Sequence, residues 1–508
     1  MPDTTSNNVR IAKNTMFLYI RMAFTLCISL YTSRVVLNAL GIEDFGIYNV
    51  VGGVISMFSF ICSAMSATSQ RYLSYEIGRN NISQLGIVFN CTIQVHLILS
   101  LAVLLLGETL GLWFLMTQLV IPEDRFFAAV FVYHLSIATA IVSFMSVPFT
   151  ADIIAHEKMS AFAYISIFEV SLKLLVALLI TTAPIDKLIF YASALFISQL
   201  LIIICYILYA RKYFSETHSR FIVDLPLLKK MFSFAGWSFI GNFAGALYSQ
   251  GINMLLNIFF GPVVNAARGI AIQIQGALQQ FVGNFQMAVN PQITKSFASN
   301  NLEQMHSLMF RSARFSFCLL FIPALPVLLE IEYILQIWLG QVPVYTALFA
   351  RIMICISLTY TMANPCLIAN QATGHVKKYQ IWVTSLILMI LPISYVSLKL
   401  GAPAYSVFII QLLLELIAMI PRMLILRKDL KLPVRLFFSN VYIPIFGVVF
   451  VSIIIPYIAH RMMTYGFCRL MVVSAAAVLS TIFSTLYIAM KANERHFIYS
   501  KIGTLIRK

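Results

Sequence analysis

Charge is what this sequence has least of. Only 11% of its 508 residues are Asp, Glu, Lys or Arg, where a soluble domain carries ~25%, and only 19 residues are acidic. Metal-binding and redox patterns are missing too. The eight cysteines (Cys27, Cys62, Cys91, Cys205, Cys318, Cys355, Cys366 and Cys468) stand singly in or beside apolar runs, with no CxxC and no His/Cys cluster. Neither a disulfide framework, a metal site nor a cofactor is therefore expected. What fills the chain is apolar: 60% of the residues are hydrophobic. Fourteen apolar runs of about twenty residues use up the length, at about 36 residues per run and connection, and leave no room for a soluble catalytic domain.

The expected spans lie near 15–36, 46–68, 86–112, 126–147, 161–182, 187–210, 233–256, 267–289, 307–329, 346–368, 379–399, 403–426, 438–458 and 469–490. In lipid such runs are helical, because backbone amides find no other partner there, so the fold class is an all-α polytopic membrane protein. The formal charge of +16 would point to nucleic acid in a soluble protein. Here the basic residues sit mostly in connections and read as topology signals, and no nucleic-acid partner is expected. Of 35 Lys and Arg, 22 fall in the termini and even-numbered loops, 5 in odd-numbered loops once Lys187, Lys399 and Arg469 at span ends are counted there, and 8 deeper inside spans. That distribution places both termini in the cytosol, with the polar start MPDTTSNNVRIAKN read as the cytosolic beginning of the mature chain.

The longest polar connection, 211–230, follows the sixth span and divides the chain into an N-lobe (1–212), a C-lobe (213–430) and a final helical pair with a tail (431–508). An internal repeat supports the division. NNISQL at Asn80–Leu85 matches NNLEQM at Asn300–Met305, and Gly41 matches Gly261, all at an offset of 220; Pro148 and Ala155 match Pro365 and Ala372 at 217. Six is even, so two such units keep one orientation, as in parallel-repeat transporters.

Polar residues inside the spans carry the functional information, since each needs protein or water as a partner. In the eighth span Asn265, Arg268, Gln275, Gln279, Gln286 and Asn290 fall within about 80° of one helix face, and Gln273, Gln280 and Asn284 add further amides. The second span carries Asn49, Ser56, Ser59, Ser63, Ser66 and Gln70, the seventh Asn242, Ser249, Asn253 and Asn257, and the first Asn14, Arg21, Thr25 and Thr32. These stripes fit two readings: bonds between packed helices, or a wet lumen suited to sugar hydroxyls. The eight basic residues inside spans are Arg21, Arg34, Lys173, Arg268, Arg311, Arg314, Arg351 and Arg422, against two acids, Glu169 and Glu415, with Glu108 counted in the outer loop after the third span. A basic residue at mid-span costs ~2.5–3.5 kcal/mol, so an excess of six is tolerable beside water or a bound anion. Those near span ends, Arg34, Arg268 and Arg351 outside and Arg311, Arg314 and Arg422 inside, can also snorkel. Glu169 and Lys173 stand at i and i+4 in the favourable order. Glu415 has no basic residue within one turn; it and Glu169 are candidates for ion coupling. Arg21, Lys173, Arg268, Gln275, Gln279, Gln286, Asn253 and Ser66 are the candidate cavity residues. The cargo expected from them is an anion with a polar body.

The segment LNALGIEDFGIYNVVGGVISMFSFICSAMSATSQRYLSYEIGR (Leu37–Arg79) resembles the opening of Wzx-type polysaccharide flippases of the multidrug/oligosaccharidyl-lipid/polysaccharide exporter superfamily, and IANQATGHVKKY (Ile368–Tyr379) resembles that family's connection between the tenth and eleventh helices. The resemblance implies two six-helix lobes in a V around a central cavity plus a C-terminal pair. It also implies a non-enzymatic carrier of undecaprenyl-diphosphate-linked oligosaccharide across a bacterial inner membrane, for surface polysaccharide or lipopolysaccharide O-antigen assembly, with polymerase and assembly proteins as partners. Flippases of lipid-diphosphate cargo carry cationic residues in the first helix, where Arg21 stands here. Cation-coupled multidrug antiporters of the superfamily carry an acid there, and none lies between Met16 and Val36. A membrane-embedded polymerase or ligase would need acids in sizeable outer loops, and the largest such loop offers only Glu123 and Asp124.

Overall fold

The computed structural model describes residues 4–56, 59–118, 122–183, 186–218, 222–339, 342–492 and 494–495. Every regular element among them is helical. The first seven α-helices are α1 (Thr4–Ser56), α2 (Ser59–Gly78), α3 (Ile82–Leu106), α4 (Leu112–Gln118), α5 (Phe126–Ala155), α6 (Met159–Leu179) and α7 (Lys187–Tyr213). The next seven are α8 (Leu225–Phe260), α9 (Pro262–Ala298), α10 (Leu302–Leu339), α11 (Thr346–Thr373), α12 (Lys377–Leu388), α13 (Ile390–Lys399) and α14 (Ser406–Leu430). A short α15 (Val434–Phe437) leads into the final pair, α16 (Ile443–Met462) and α17 (Phe467–Ser484). Ten helical stretches among the described residues are long and apolar enough to cross a membrane. The other four expected spans fall on α1 with α2, on α8 and on α9, the helices that carry the polar stripes.

The chain parts into two compact units, Arg10–Phe239 and Ile240–Lys508, the second taking in the first nine residues. Their construction is the same. Gly41 breaks α1 at φ 82°, ψ 171°, and Gly261 separates α8 from α9 at φ 79°, ψ −173°. This region of backbone space is almost closed to residues with a Cβ. Further on, Asn80 and Asn300 both turn left-handed, at φ 55° and 58°. Asn81 and Asn301 then cap α3 and α10, their Oδ1 atoms accepting from the amides of Gln84 at 3.2 Å and Gln304 at 3.0 Å. Prolines 148 and 365 sit inside α5 and α11, and each helix ends at a left-handed residue, Glu157 or Gly374, again 217 apart. Backbone breaks and caps thus repeat wherever the two sequence echoes fall.

Ion clusters tie the ends of elements together. Arg125 bridges Asp44 and Asp186 in the first unit. Asp186 also caps α7, accepting from the amides of Leu188 at 3.0 Å and Ile189 at 3.1 Å. Burial works to raise that carboxyl, but Arg125 and the two amides hold it below its usual range. In the second unit the C-terminal pair is fastened to α10 at two points. Glu330, at a break in α10, meets His460 Nδ1 at 2.7 Å and Arg469 Nη2 at 2.9 Å. Glu494 meets Arg311 at 2.8 Å and Arg314 at 2.7 Å.

The glycine at the α8–α9 break gives a direct check. Gly261→Ala is expected to cost about 1–3 kcal/mol, because its φ/ψ excludes Cβ although no atom crowds the site. Gly276→Ala, in an ordinary helical turn of α9 with open space around it, is expected to be neutral or to stabilise by up to ~1 kcal/mol. Unfolding of both variants in detergent measures the difference.

Candidate substrate-binding site

In the first unit three helices bring together a polar cluster. Arg21 of α1 is partly buried, with its guanidinium 4.8 Å from the ring centre of Phe162 on α6. Glu169 of α6 and the buried Tyr206 of α7 lie close enough to interact electrostatically with it. Lys173 Nζ donates to Glu169 Oε1 at 2.6 Å, and 45% of its side chain stays exposed. Arg21, Lys173 and Glu169 therefore share one neighbourhood. Ser66 lies apart from them in the bonding pattern, accepting from Gln70 Nε2 at 3.1 Å on its own helix α2. The side chains of Arg34, Asn49, Ser56 and Ser59 fall outside the described part.

In the second unit Arg268 of α9 is 7% exposed and turns toward α8. Its Nη2 donates to the Ser249 carbonyl at 2.8 Å and hydroxyl at 3.1 Å, and Nη1 donates to Asn253 Oδ1 at 3.3 Å. No carboxylate pairs with it among the described residues, and its Nε–H is buried without an acceptor. A cation held only by neutral oxygens, with a donor to spare, is suited to receive an anion.

The amides of α9 divide by face. Gln275 and Gln279 both donate to Ser357 Oγ of α11, at 2.9 and 3.1 Å, and Gln286 donates to Ser316 of α10 at 3.2 Å and the Thr361 carbonyl of α11 at 3.4 Å. These three bind helices together. Gln273, Gln279 and Gln280 are nevertheless exposed, alongside Gly269, Gly276 and Gly283, where nothing lies within 4 Å of the position a Cβ would take. The six-residue stripe expected from spacing is thus turned partly into the bundle, and the open polar face is centred on Gln273 and Gln280. Serines 316 and 357 and Thr361 are the partners that reading α9 by itself leaves out; the hydroxyls at Ser357 and Thr361, one turn apart on α11, were the available signal.

The structure corrects two expectations about charge. Glu415 is not alone: Arg422 Nη2 lies 3.2 Å away, with both side chains under 10% exposed. Seven residues is two helical turns, ~10.5 Å along one face, which two long side chains span. Arg422 is accordingly buried at 3% rather than snorkelling. The excess of six charges also shrinks, because acids outside the expected spans fold back onto basic residues inside them. Glu494 takes Arg311 and Arg314, and Glu332 takes Arg351 at 3.2 Å.

No family model and no curated protein matches the sequence. Solved structures do match it. A MATE transporter in its bent conformation has a TM-score of 0.72 at 12% identity, over 84% of this chain and 96% of its own. The MATE transporter ClbM in complex with Rb+ gives 0.68 at 13%, over 84% and 96%. A MOP superfamily transporter from Pyrococcus furiosus, described as having a binding pocket of reverse polarity, gives 0.61 at 12%, over 83% and 95%. At such identities the likeness is one of fold: this chain is built as MATE transporters are, from two lobes of helices.

The two acid–base pairs within the spans should differ in their cost of disruption. Arg422→Met leaves Glu415 buried and unpaired, an expected loss of about 3–5 kcal/mol that Glu415→Gln in the same chain largely restores. Lys173→Met, at an exposed pair, is expected to cost no more than ~1 kcal/mol. Unfolding midpoints in detergent rank the three.

Proposed function

We propose that this protein is an alternating-access transporter of an amphipathic lipid whose head is anionic and glycosylated: a polyprenyl-diphosphate-linked oligosaccharide carried from the cytosolic to the outer leaflet of a bacterial inner membrane, for surface polysaccharide assembly. Both termini would lie in the cytosol, as the Lys and Arg distribution favours. The reading rests on Arg268, a buried cation with neutral partners only among the described residues and an unused Nε–H. Each charge-assisted hydrogen bond to a phosphate oxygen is worth about 1.5–3 kcal/mol. The exposed amides Gln273, Gln279 and Gln280 supply donors and acceptors for sugar hydroxyls. The first unit, taken by itself, offers Arg21 and Lys173 as a second basic group. Glu169 and Glu415 are the ion-coupling candidates, and each already carries a basic partner whose exchange for a proton or metal cation would be the coupling step.

A second reading is a cation-coupled multidrug antiporter, favoured by the MATE transporters among the fold's neighbours. Against it stands the lack of an acid between Met16 and Val36. Proteoliposomes separate the two. Under the lipid reading, a fluorescent polyprenyl-diphosphate oligosaccharide crosses the bilayer. Arg268→Gln or Arg21→Ala, each removing one charge-assisted hydrogen bond to the head, then slows it about 10-fold to 100-fold. Extrusion of a cationic dye under a proton or sodium gradient, with the lipid left in place, would overturn that reading and establish the second.

A further inference from the structure

At the end of α5 the chain assembles three donors that the transport reading does not use. Asp152 lies in the last turn of α5, His156 directly follows that helix, and Glu216 belongs to the single turn Ser215–His218 after α7. His156 Nε2 stands 2.5 Å from Glu216 Oε1 and 3.7 Å from Asp152 Oδ1, and all three donor atoms lie within 4.8 Å of one another. We propose that Asp152, His156 and Glu216 bind a divalent transition-metal ion of the Zn2+ class, locking the end of α5 to the turn after α7.

Asp152 is the decisive group. It is fully buried, and neither carboxylate oxygen has a hydrogen-bond partner. A buried carboxylate with no donor is costly, and Glu216, 3% exposed, adds a second negative group beside it. A divalent cation with a neutral imidazole leaves the site without net charge. The geometry is near what the ion requires: ligands held at ~2.0–2.2 Å around a tetrahedral centre are about 3.4 Å apart, so the His156–Glu216 distance opens by about 1 Å and the Asp152–His156 distance hardly changes. One imidazole among the donors selects a transition metal, since Ca2+ takes six to eight oxygens. His156 keeps 24% of its side chain exposed, an entry path and a place for water as fourth ligand. Its ring is stacked on Phe214 at 4.2 Å, which fixes its direction.

The fold itself does not demand these residues. In the second unit the same helix end, 217 residues later, is made with Ala369, Thr373 and Gly374. Where that copy has glycine, the first has Glu157 in a left-handed conformation, held by Arg10 at 2.8 Å and by Asn14, which donates to its carbonyl at 3.0 Å. The first unit therefore keeps a strained turn and a buried acid that its twin does without.

Co2+ titration of the full-length protein, purified in detergent and freed of metal by a chelator, tests the site. Expected is one saturable equivalent per chain with a visible absorption band, displaced by Zn2+, and a rise in unfolding temperature. Asp152→Asn keeps the size and removes the buried charge, so it is expected to fold while weakening Co2+ at least ~10-fold; Glu216→Gln acts in the same direction. His460→Ala, at the other buried histidine–carboxylate pair, keeps the band. Absence of saturable binding by the unmodified protein would overturn the proposal and leave the cluster as a contact between one histidine and two acidic side chains. Binding that survives both carboxylate substitutions would overturn it as well.

Discussion

A bilayer supplies no partner to a polar group, and that single constraint orders most of what this chain does. It forces the backbone into helices, and it makes every amide, hydroxyl and charge inside a span choose among a neighbouring helix, an ion partner and water. Gln275 and Gln286 have chosen neighbours, Glu415 and Arg422 each other, and Arg311 and Arg314 the carboxylate of Glu494. Among the described residues, Arg268 keeps neutral partners, and one face of α9 exposes Gln273 and Gln280. A membrane protein that keeps such groups has water or a polar ligand beside them.

Duplication explains where the breaks fall. Glycine at 41 and 261, left-handed asparagine at 80 and 300 and caps at 81 and 301 are backbone requirements of one six-helix unit, so both copies retain them. Side chains were free to diverge around that frame. The first copy gathered Asp152, His156 and Glu216 at a helix end where the second has Ala369 and Thr373, and the second concentrated amides on α9. Equivalent positions thus hold different chemistry on equivalent scaffolds.

Much of the fold was legible in the sequence because hydrophobic length and backbone singularities are local signals. The helical class, the two-lobed build and the repeat followed from run length, from Gly41 with Gly261 and from the paired asparagine motifs. The candidate site was legible only in part, for reasons of reach. Spacing on one helix located the polar face of α9 but not Ser357 or Ser316, the acceptors that turn Gln275 and Gln286 inward. A one-turn window missed Arg422, two turns from Glu415. Counting acids by span missed Glu494 and Glu332, which lie outside the spans yet fold onto basic residues within them. The Asp152–His156–Glu216 cluster escaped because 60 residues separate its last two members.

The central claim is that the face of α9 bearing Gln273 and Gln280 meets water. Single cysteines at Gly276 and Gln280, in a cysteine-free chain held in native membranes, put it to the test with a water-soluble maleimide. The account predicts rapid labelling at both positions, far above that of a cysteine at exposed, apolar Leu424 on α14. Labelling at Gly276 and Gln280 no faster than at Leu424 would place that face in lipid or protein and contradict the account.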